Sequence, residues 1–269
     1  MKTGDFRVGD LRLATASVGE GRNFLFLHGL CGEAGQPVEV FPAETGWQCH
    51  ALECRGHGRS EIGELADLSI SRFAEDAALF LETLGGPPPV IGGISMGAAI
   101  ALRLAVTHPH LCSGLVLARP AWVDQAAPAT LAPHREIAAL MAAHEPEQAR
   151  RLFETSDMAR LVAAESPDNL VSLLGFFDRH PLDQTRALLA AIGADGPGVD
   201  RSRIAAMQMP TLVIGTDRDF VHPFYMAEEL ASLIPGATLA RIVAKSDNRD
   251  DHVAGFRHAL HKFLEEIAR

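Results

Sequence analysis

Basic runs are missing from this chain. Beyond short pairs such as Arg150-Arg151 its cations are dispersed, and the formal net charge is −10 over 269 residues. Such a balance repels polyanions and argues against nucleic acid or an anionic membrane surface as a partner. No apolar run approaches the roughly 20 residues that span a bilayer. The opening MKTGDFRVGDLRL is broken by Asp, Arg and Gly, so it lacks the apolar stretch of a signal peptide. Cysteine is scarce as well. Cys31, Cys49, Cys54 and Cys112 show neither Cys-x-x-Cys pairs nor His-partnered zinc spacing. Free thiols in a reducing compartment, the cytoplasm, are the expectation. Internal repeats, low-complexity tracts, dinucleotide fingerprints, phosphate loops and metal-ligand clusters are also absent. The 12 histidines are scattered. No cofactor is expected. The expected partner is a small molecule, and a homodimer is left open.

What is present is a large apolar complement, 47% of residues, enough for a sizeable core. From residue 5 to 118, short β-like runs alternate with helical segments. Leu11–Val18, Phe24–Leu27, Gln48–Leu52, Val90–Gly92 and Gly114–Ala118 read as strands. Ser71–Leu84 reads as an amphipathic helix with Phe73, Ala77, Phe80, Leu81 and Leu84 on one side. Unalternating runs such as Phe24-Leu25-Phe26-Leu27 suit strands covered on both faces of a parallel sheet. Residues 121 to about 203 hold no convincing strand, only helical pieces punctuated by Pro128, Pro133, Pro146, Pro167 and Pro181. Strand signals resume at Thr211–Gly215 and Thr238–Val243, followed by a terminal helix over Val253–Ile267. The pattern predicts an α/β fold: a mostly parallel central sheet flanked by helices, with an all-helical cap inserted. The expected division is core over 1–120, a helical and mobile cap over 121–203, and core again over 204–269.

The most informative local feature is Gly93-Ile94-Ser95-Met96-Gly97, with the apolar run Pro89-Val90-Ile91 before it and helical spacing from Met96 to Thr107 after it. A serine at so sharp a strand-to-helix turn takes strained backbone angles and needs neighbours without bulk. The turn lifts its hydroxyl over the strand end, where a substrate can reach it. Ser95 is therefore the candidate nucleophile. A serine hydroxyl is weak until a base takes its proton and a carboxylate holds that base's tautomer. Gly215-Thr216-Asp217-Arg218-Asp219-Phe220-Val221-His222-Pro223 offers Asp217 and Asp219 where a strand meets its loop. Lys245-Ser246-Asp247-Asn248-Arg249-Asp250-Asp251-His252 is a late polar loop ending in a histidine. His258 and His261 lie inside the terminal helix and read as surface or packing residues.

The order Ser95, then an Asp, then His252 resembles that of the α/β-hydrolases. The resemblance extends over most of the chain. Phe24-Leu25-Phe26-Leu27-His28-Gly29-Leu30 is similar to the family's His-Gly loop after the third strand. Glu53-Cys54-Arg55-Gly56-His57-Gly58-Arg59-Ser60 is similar to its Asp-x-Arg-Gly-x-Gly-x-Ser segment, with Glu53 in place of the aspartate. Members usually carry the acid four residues before a proline, which points to Asp219 ahead of Pro223. Asp217 and Asp124 are the alternatives. The histidine region departs from the usual Gly-His pattern, because Asp251-His252-Val253 enters the last helix almost at once.

The resemblance further implies an oxyanion hole from the backbone N–H groups of Leu30 and Met96, with His28 as a structural hydrogen-bonder. Arg119 and Trp122, following the sixth strand, are candidates for the substrate pocket. The alternative has Arg119 pairing with a cap acid and Trp122 anchoring the insertion. A serine at the nucleophile position argues against dehalogenases and epoxide hydrolases of related fold, which use an aspartate there. The implied activity is a serine hydrolase of small carboxylic esters or lactones. C–C bond hydrolysis of a diketone-type substrate and slow hydrolysis by a ligand sensor are the alternatives, and halide-dependent peracid chemistry is an accompanying side activity.

Overall fold

In the computed structural model, residues 1–42 and 45–268 are described. Eight strands form one sheet: β1 (Lys2–Val8), β2 (Leu11–Gly19), β3 (Arg22–Leu27), β4 (Trp47–Leu52), β5 (Val90–Ile94), β6 (Gly114–Ala118), β7 (Thr211–Thr216) and β8 (Thr238–Ile242). Their spatial order is β1-β2-β4-β3-β5-β6-β7-β8. β1 and β2 form an antiparallel ribbon, β2 pairs antiparallel with β4, and every later pairing is parallel. The expected α/β class and mostly parallel sheet are thus found. β5 and β6 are buried along their whole length, as strands with helices on both faces must be.

Eleven helices are described: α1 (Gly35–Val40), α2 (Ile70–Leu84), α3 (Met96–Thr107), α4 (Ala132–Ala143), α5 (Pro146–Glu154), α6 (Asp157–Glu165), α7 (Pro167–Leu174), α8 (Leu182–Ala194), α9 (Arg201–Ala205), α10 (Phe224–Leu233) and α11 (Arg249–Ala268). One core cluster packs α2 and α3 on the sheet through Phe73, Ile100 and Leu104 against Ile91 and Leu115. The other lies on the opposite face, where Phe256, Leu260 and Leu264 of α11 cover Phe24, Phe26 and Ile214. Helices α4 to α9 occupy the stretch between β6 and β7, and no strand falls there among the described residues. None of the described helices is long and apolar enough to cross a membrane.

Two elements differ from the sequence reading. β1 is largely exposed, with Gly4 and Asp5 in its middle and only Phe6 and Val8 partly buried against the core, so its hydrophobic signal is weak; its pairing with β2 makes it a strand. The last helix begins at Arg249 rather than Val253. Asn248 caps it, its side-chain oxygen accepting from the N–H groups of Asp250 (3.0 Å) and Asp251 (3.2 Å). His252 therefore sits in the first turn of α11 and not in a loop before it.

The Glu53 segment holds strand ends together. Glu53 Oε1 accepts from Ala34 N–H at 3.1 Å and Oε2 from Arg59 N–H at 2.7 Å. Arg55, 3% exposed, meets the Asp76 carboxylate with Nε at 2.6 Å and Nη2 at 3.0 Å. A glutamate here does structural work that reaches one methylene further than an aspartate would.

Candidate active site

Ser95 stands between β5 and α3 with φ 56° and ψ −111°, a conformation that side-chain-bearing residues seldom adopt. Its surroundings explain the flanking glycines. A Cβ on Gly93 would lie 2.1 Å from the backbone carbon of Gly97, and one on Gly97 would lie 2.4 Å from the Leu27 oxygen. The Ser95 N–H donates to Ala118 O at 2.9 Å, tying the turn to the end of β6. Strained backbone gathers here: Cys31 (φ 56°), Arg119 (φ 45°) and Arg218 (φ 54°) also have positive φ. Each such residue costs on the order of 1–3 kcal/mol and persists only where surrounding structure fixes it.

The Ser95 hydroxyl lies 2.8 Å from His222 Nε2, and His222 Nδ1 lies 2.9 Å from Asp219 Oδ1. Asp219 Oδ1 also accepts from the His222 backbone N–H at 3.1 Å. The other oxygen, Oδ2, accepts from Arg119 Nε at 2.8 Å and Nη2 at 2.5 Å. With Nδ1–H committed to the carboxylate, Nε2 presents its lone pair to the serine O–H. Burial alone would raise the Asp219 pKa, but the charges of Arg119 and His222 and their hydrogen bonds hold it far below the usual carboxylate range. Burial moves His222 the other way, below its ordinary value; Asp219 partly opposes the shift, and the nearby Arg119 charge reinforces it. The ring is thus neutral and able to accept a proton.

The expectation that His252 joins Ser95 and Asp219 is corrected by this geometry. His252 Nδ1 donates to Val243 O at 2.8 Å, and its ring packs edge-on to Phe256 at 5.6 Å. Both Asp219 oxygens are engaged, one by His222 and the other by Arg119, so none is left for it. His222 stands in the same loop as Asp219, where the resemblance points to an acid and not to a base. Asp219 and His222 are spaced i,i+3, close enough for one turn to bring their side chains together. That spacing, with the missing Gly-His pattern downstream, was the available signal.

The other candidates are placed as follows. Asp217 is paired with Arg241, Nε to Oδ2 at 2.7 Å, on the surface. Asp124 lies 3.4 Å from Arg201. Neither touches His222. Arg119 borders the cavity at Ser95, but its guanidinium is committed to Asp219 and so is not a free clamp. Trp122 is corrected as a pocket wall: it is 2% exposed, and its Nε1–H donates to Asp195 O at 2.9 Å, anchoring the chain to the end of α8. His28 donates from Nδ1 to Gly29 O (2.8 Å) and accepts at Nε2 from Cys54 N–H (3.0 Å); burial pushes its pKa down to about 4. Cys31 also borders the cavity, and burial pushes its thiol up to about 12, which disfavours the reactive thiolate.

The Ser95 cavity has a volume of about 260 Å³ and lies between the β5 and β7 loop ends and helices α4 and α7. Leu30 and Met96 flank the serine. Gln36 Oε1 fixes the Leu30 loop by accepting from Gly29 N–H at 2.7 Å. The Met96 N–H opens α3, where a helix leaves its first amides unpaired. The Leu30 N–H makes no hydrogen bond among the described residues. A roomier hollow of about 350 Å³ between β8 and α11 is bordered by none of Ser95, His222 or Asp219. Among the described residues no group of three or more His, Cys, Asp or Glu could hold a metal ion.

Comparison with known proteins gives the same architecture. The protein BpoC of Mycobacterium tuberculosis is 30% identical over 248 residues, covering 86% of this chain and 89% of BpoC. The crystal structure of a bromoperoxidase from Bacillus anthracis superposes with a TM-score of 0.73 at 17% identity, covering 98% of this chain and 100% of that one. A thermophilic esterase from Thermogutta terrifontis superposes with a TM-score of 0.72 at 19% identity and full coverage of both chains, 100% and 100%. Residues 22–246 match the alpha/beta hydrolase fold family, and with the sheet order and the Ser95 turn already described, the chain belongs to that family.

Proposed function

We propose that this chain is a serine hydrolase that cleaves small carboxylic esters or lactones through an acyl-enzyme on Ser95. The observation that carries this reading is the continuous hydrogen-bonded chain from Ser95 Oγ through His222 to Asp219, 2.8 and 2.9 Å per link.

In this reading Ser95 Oγ attacks the carbonyl carbon while its proton passes to His222 Nε2. The developing oxyanion is held by the N–H groups of Leu30 and Met96. Collapse of the tetrahedral intermediate breaks the C–O bond, and His222 returns the proton to the departing alkoxide. Water then attacks the acyl-serine, giving its proton to His222, and the carboxylic acid and free Ser95 are released. Asp219 stays ionised throughout and keeps Nδ1–H pointed at itself, so that Nε2 faces the serine. Arg119 holds the carboxylate in that orientation. A lactone follows the same course, its alkoxide remaining tethered to the acyl group.

The test is labelling with a fluorophosphonate together with turnover of a panel of short-chain aryl esters and lactones. Labelling should fall on Ser95 alone and disappear in Ser95→Ala, with many turnovers per protein. Labelling that survives Ser95→Ala defeats the assignment, and a single stalled acyl adduct per protein favours a sensor over an enzyme.

A further inference from the structure

Helix α7 turns one face to the Ser95 cavity. Asn169, Ser172 and Leu173, with Phe176 one turn on, follow the i, i+3, i+4, i+7 spacing of a single helical face. That face is polar at its start and apolar at its end, where Phe176 also packs on the His134 ring at 5.6 Å. Asn169 is 6% exposed, and its Oδ1 accepts from the Val221 N–H at 3.0 Å. The amide is thereby fixed with its NH2 turned the other way. Nδ2 makes no hydrogen bond among the described residues, and it is not closed off from water as Asp168 Oδ1 and His134 Nδ1 are. The hollows that Asn169 borders are the Ser95 cavity and a gap of about 10 Å³ beside it, so its open N–H groups face that space. The other polar groups of the wall are already engaged or offset each other. Ser172 donates its hydroxyl to Asp168 O at 2.9 Å, and Arg119 holds Asp219. Lys245 and Asp168 border both hollows, one positive and one negative, so together they call for no net charge on a ligand. Gln36 is held as Asn169 is, with Oε1 on the Gly29 N–H, but it stands at the oxyanion loop.

We propose that Asn169 sets specificity by donating from Nδ2 to an uncharged acceptor, such as a ketone or amide oxygen, carried on the alcohol portion of the substrate. This rests on the hydrolase reading above. The side follows from the reaction. His222 must hand its proton to the leaving oxygen, so the departing alcohol extends past His222. Asn169 is bonded to Val221, the neighbour of His222, and so borders that path. The ligand group follows from the donor. With Oδ1 taken, the side chain offers N–H groups alone, and these pair with an oxygen acceptor. An alkyl substituent in the same place displaces water from Nδ2 and returns no hydrogen bond, and sites that hydrogen-bond a substrate group discriminate against the analogue that lacks it. A carboxylate meets the charges of Lys245 and Asp168 together, and attraction to one is offset by repulsion from the other. The preferred substrates are therefore esters whose alcohol carries a neutral carbonyl rather than plain alkyl esters.

The experiment compares kcat/KM for butanoate esters in shape-matched pairs: 3-oxobutyl with 3-methylbutyl, 4-oxopentyl with 4-methylpentyl, and 5-oxohexyl with 5-methylhexyl. The native chain should prefer the ketone in at least one pair by about tenfold. Asn169→Asp keeps an oxygen for the Val221 N–H and puts an acceptor where the donors stood, so that ratio should fall to one or below. Asn169→Ala should also bring it close to one, and it covers the case in which the new carboxylate disturbs His222. Lys245→Met should leave the ratio in place. Ratios near one for every pair in the native chain, while plain esters are turned over and Ser95 is labelled, overturn the inference and leave the hydrolase intact. A preference that survives both Asn169 substitutions, or that disappears in Lys245→Met, also overturns it. A ketone preference confined to the acyl side, read with 4-nitrophenyl 4-oxopentanoate against 4-nitrophenyl 4-methylpentanoate, overturns it in favour of Gln36. Absence of both labelling and turnover overturns the hydrolase reading and this inference with it.

Discussion

Asp219 and His222 lie three residues apart in one loop, and a single carboxylate oxygen of Asp219 receives both the backbone N–H and the ring Nδ1 of His222. The two side chains are therefore carried as a unit on the loop after β7, which Ser166 and Asn169 brace from the α7 side. This arrangement needs nothing from the β8–α11 connection. His222→Ala should lower kcat on an aryl ester by on the order of 10⁴-fold or more. His252→Ala should lower it by less than about threefold. Asp219→Asn should resemble the first substitution and Asp217→Asn the second. Steady-state kinetics of the four variants decide the matter, and a crippled His252→Ala beside an active His222→Ala would restore the later histidine as base.

A second expectation concerns pH. Burial, and the Arg119 charge beyond the partial opposition of Asp219, lower the His222 pKa below its ordinary value. The neutral ring is the active form, so kcat/KM should rise with pH through a group below about 6.5 and be flat above it. Arg119→Met removes a cation that disfavours imidazolium. The acid limb should then move to higher pH, whatever happens to the plateau. A limb that stays in place, or moves down, shows that Arg119 is not coupled to the base. Because the limb and the plateau are read separately, a general loss of structure does not imitate this result.

Much of the fold was legible because it rests on local rules. The buried strands announced themselves as unbroken apolar runs, and the Ser95 turn did so through glycine spacing that steric contact demands. β1 was not legible, since an exposed edge ribbon needs no apolar face. The base was misplaced for a different reason. The resemblance points to a histidine downstream of the acid loop, and so to His252, whereas His222 stands inside that loop. Deciding between them required two contacts that sequence spacing does not encode. One is the Asn248 cap that draws His252 into α11. The other is the Arg119 pairing that takes up Asp219 Oδ2 from 100 residues away.

Stability should also respond to acid through buried histidines. Burial lowers His28 to about 4 and His134 to about 3, and puts His57 well below its usual value. The unfolded chain binds these protons near pH 6.5, while the folded chain does not. Their contribution is complete above that pH and is lost as pH falls below it. His28 alone corresponds to on the order of 3 kcal/mol once the pH reaches its folded value. Urea midpoints should fall between pH 6.5 and 5, a window in which ordinary carboxylates are still ionised. A midpoint that is constant across that window contradicts the assignment.

The helices between β6 and β7 were expected to move together as a lid. Three of their contacts with the core argue for a divided behaviour: Asp195 Oδ2 accepting from Ile70 N–H at 2.7 Å, Gln184 Nε2 to Gly56 O at 2.6 Å, and Asn169 Oδ1 accepting from Val221 N–H at 3.0 Å. We therefore expect α7 and α8 to exchange amide hydrogens nearly as slowly as the sheet, and α5 and α6 to exchange faster. A substrate analogue should slow α4, whose His134 borders the Ser95 cavity, more than α5 and α6. Uniformly fast exchange from α4 to α8 would restore the whole-lid view, and uniform protection would leave no lid at all.

The sharpest of these contacts is made by Ser166, which is fully buried just before α7. Its hydroxyl donates to Arg218 O at 2.7 Å and accepts from Phe220 N–H at 2.8 Å. Those two residues flank Asp219, and Arg218 holds a positive φ of 54° that the bond helps to fix. Ser166→Ala removes one oxygen and leaves a carbonyl and an amide unpaired in a buried site, at about 1–3 kcal/mol. The loop it releases carries both the acid and the base, so the loss should reach the chemistry without touching any reacting atom. The expected result is a lowered Tm together with a kcat reduced by about tenfold and a KM nearly unchanged. Fluorophosphonate labelling of Ser95 should slow in parallel with kcat, since both need His222 in place. A variant that loses stability yet keeps full kcat and labelling rate would show that Asp219 and His222 hold each other without help from α7.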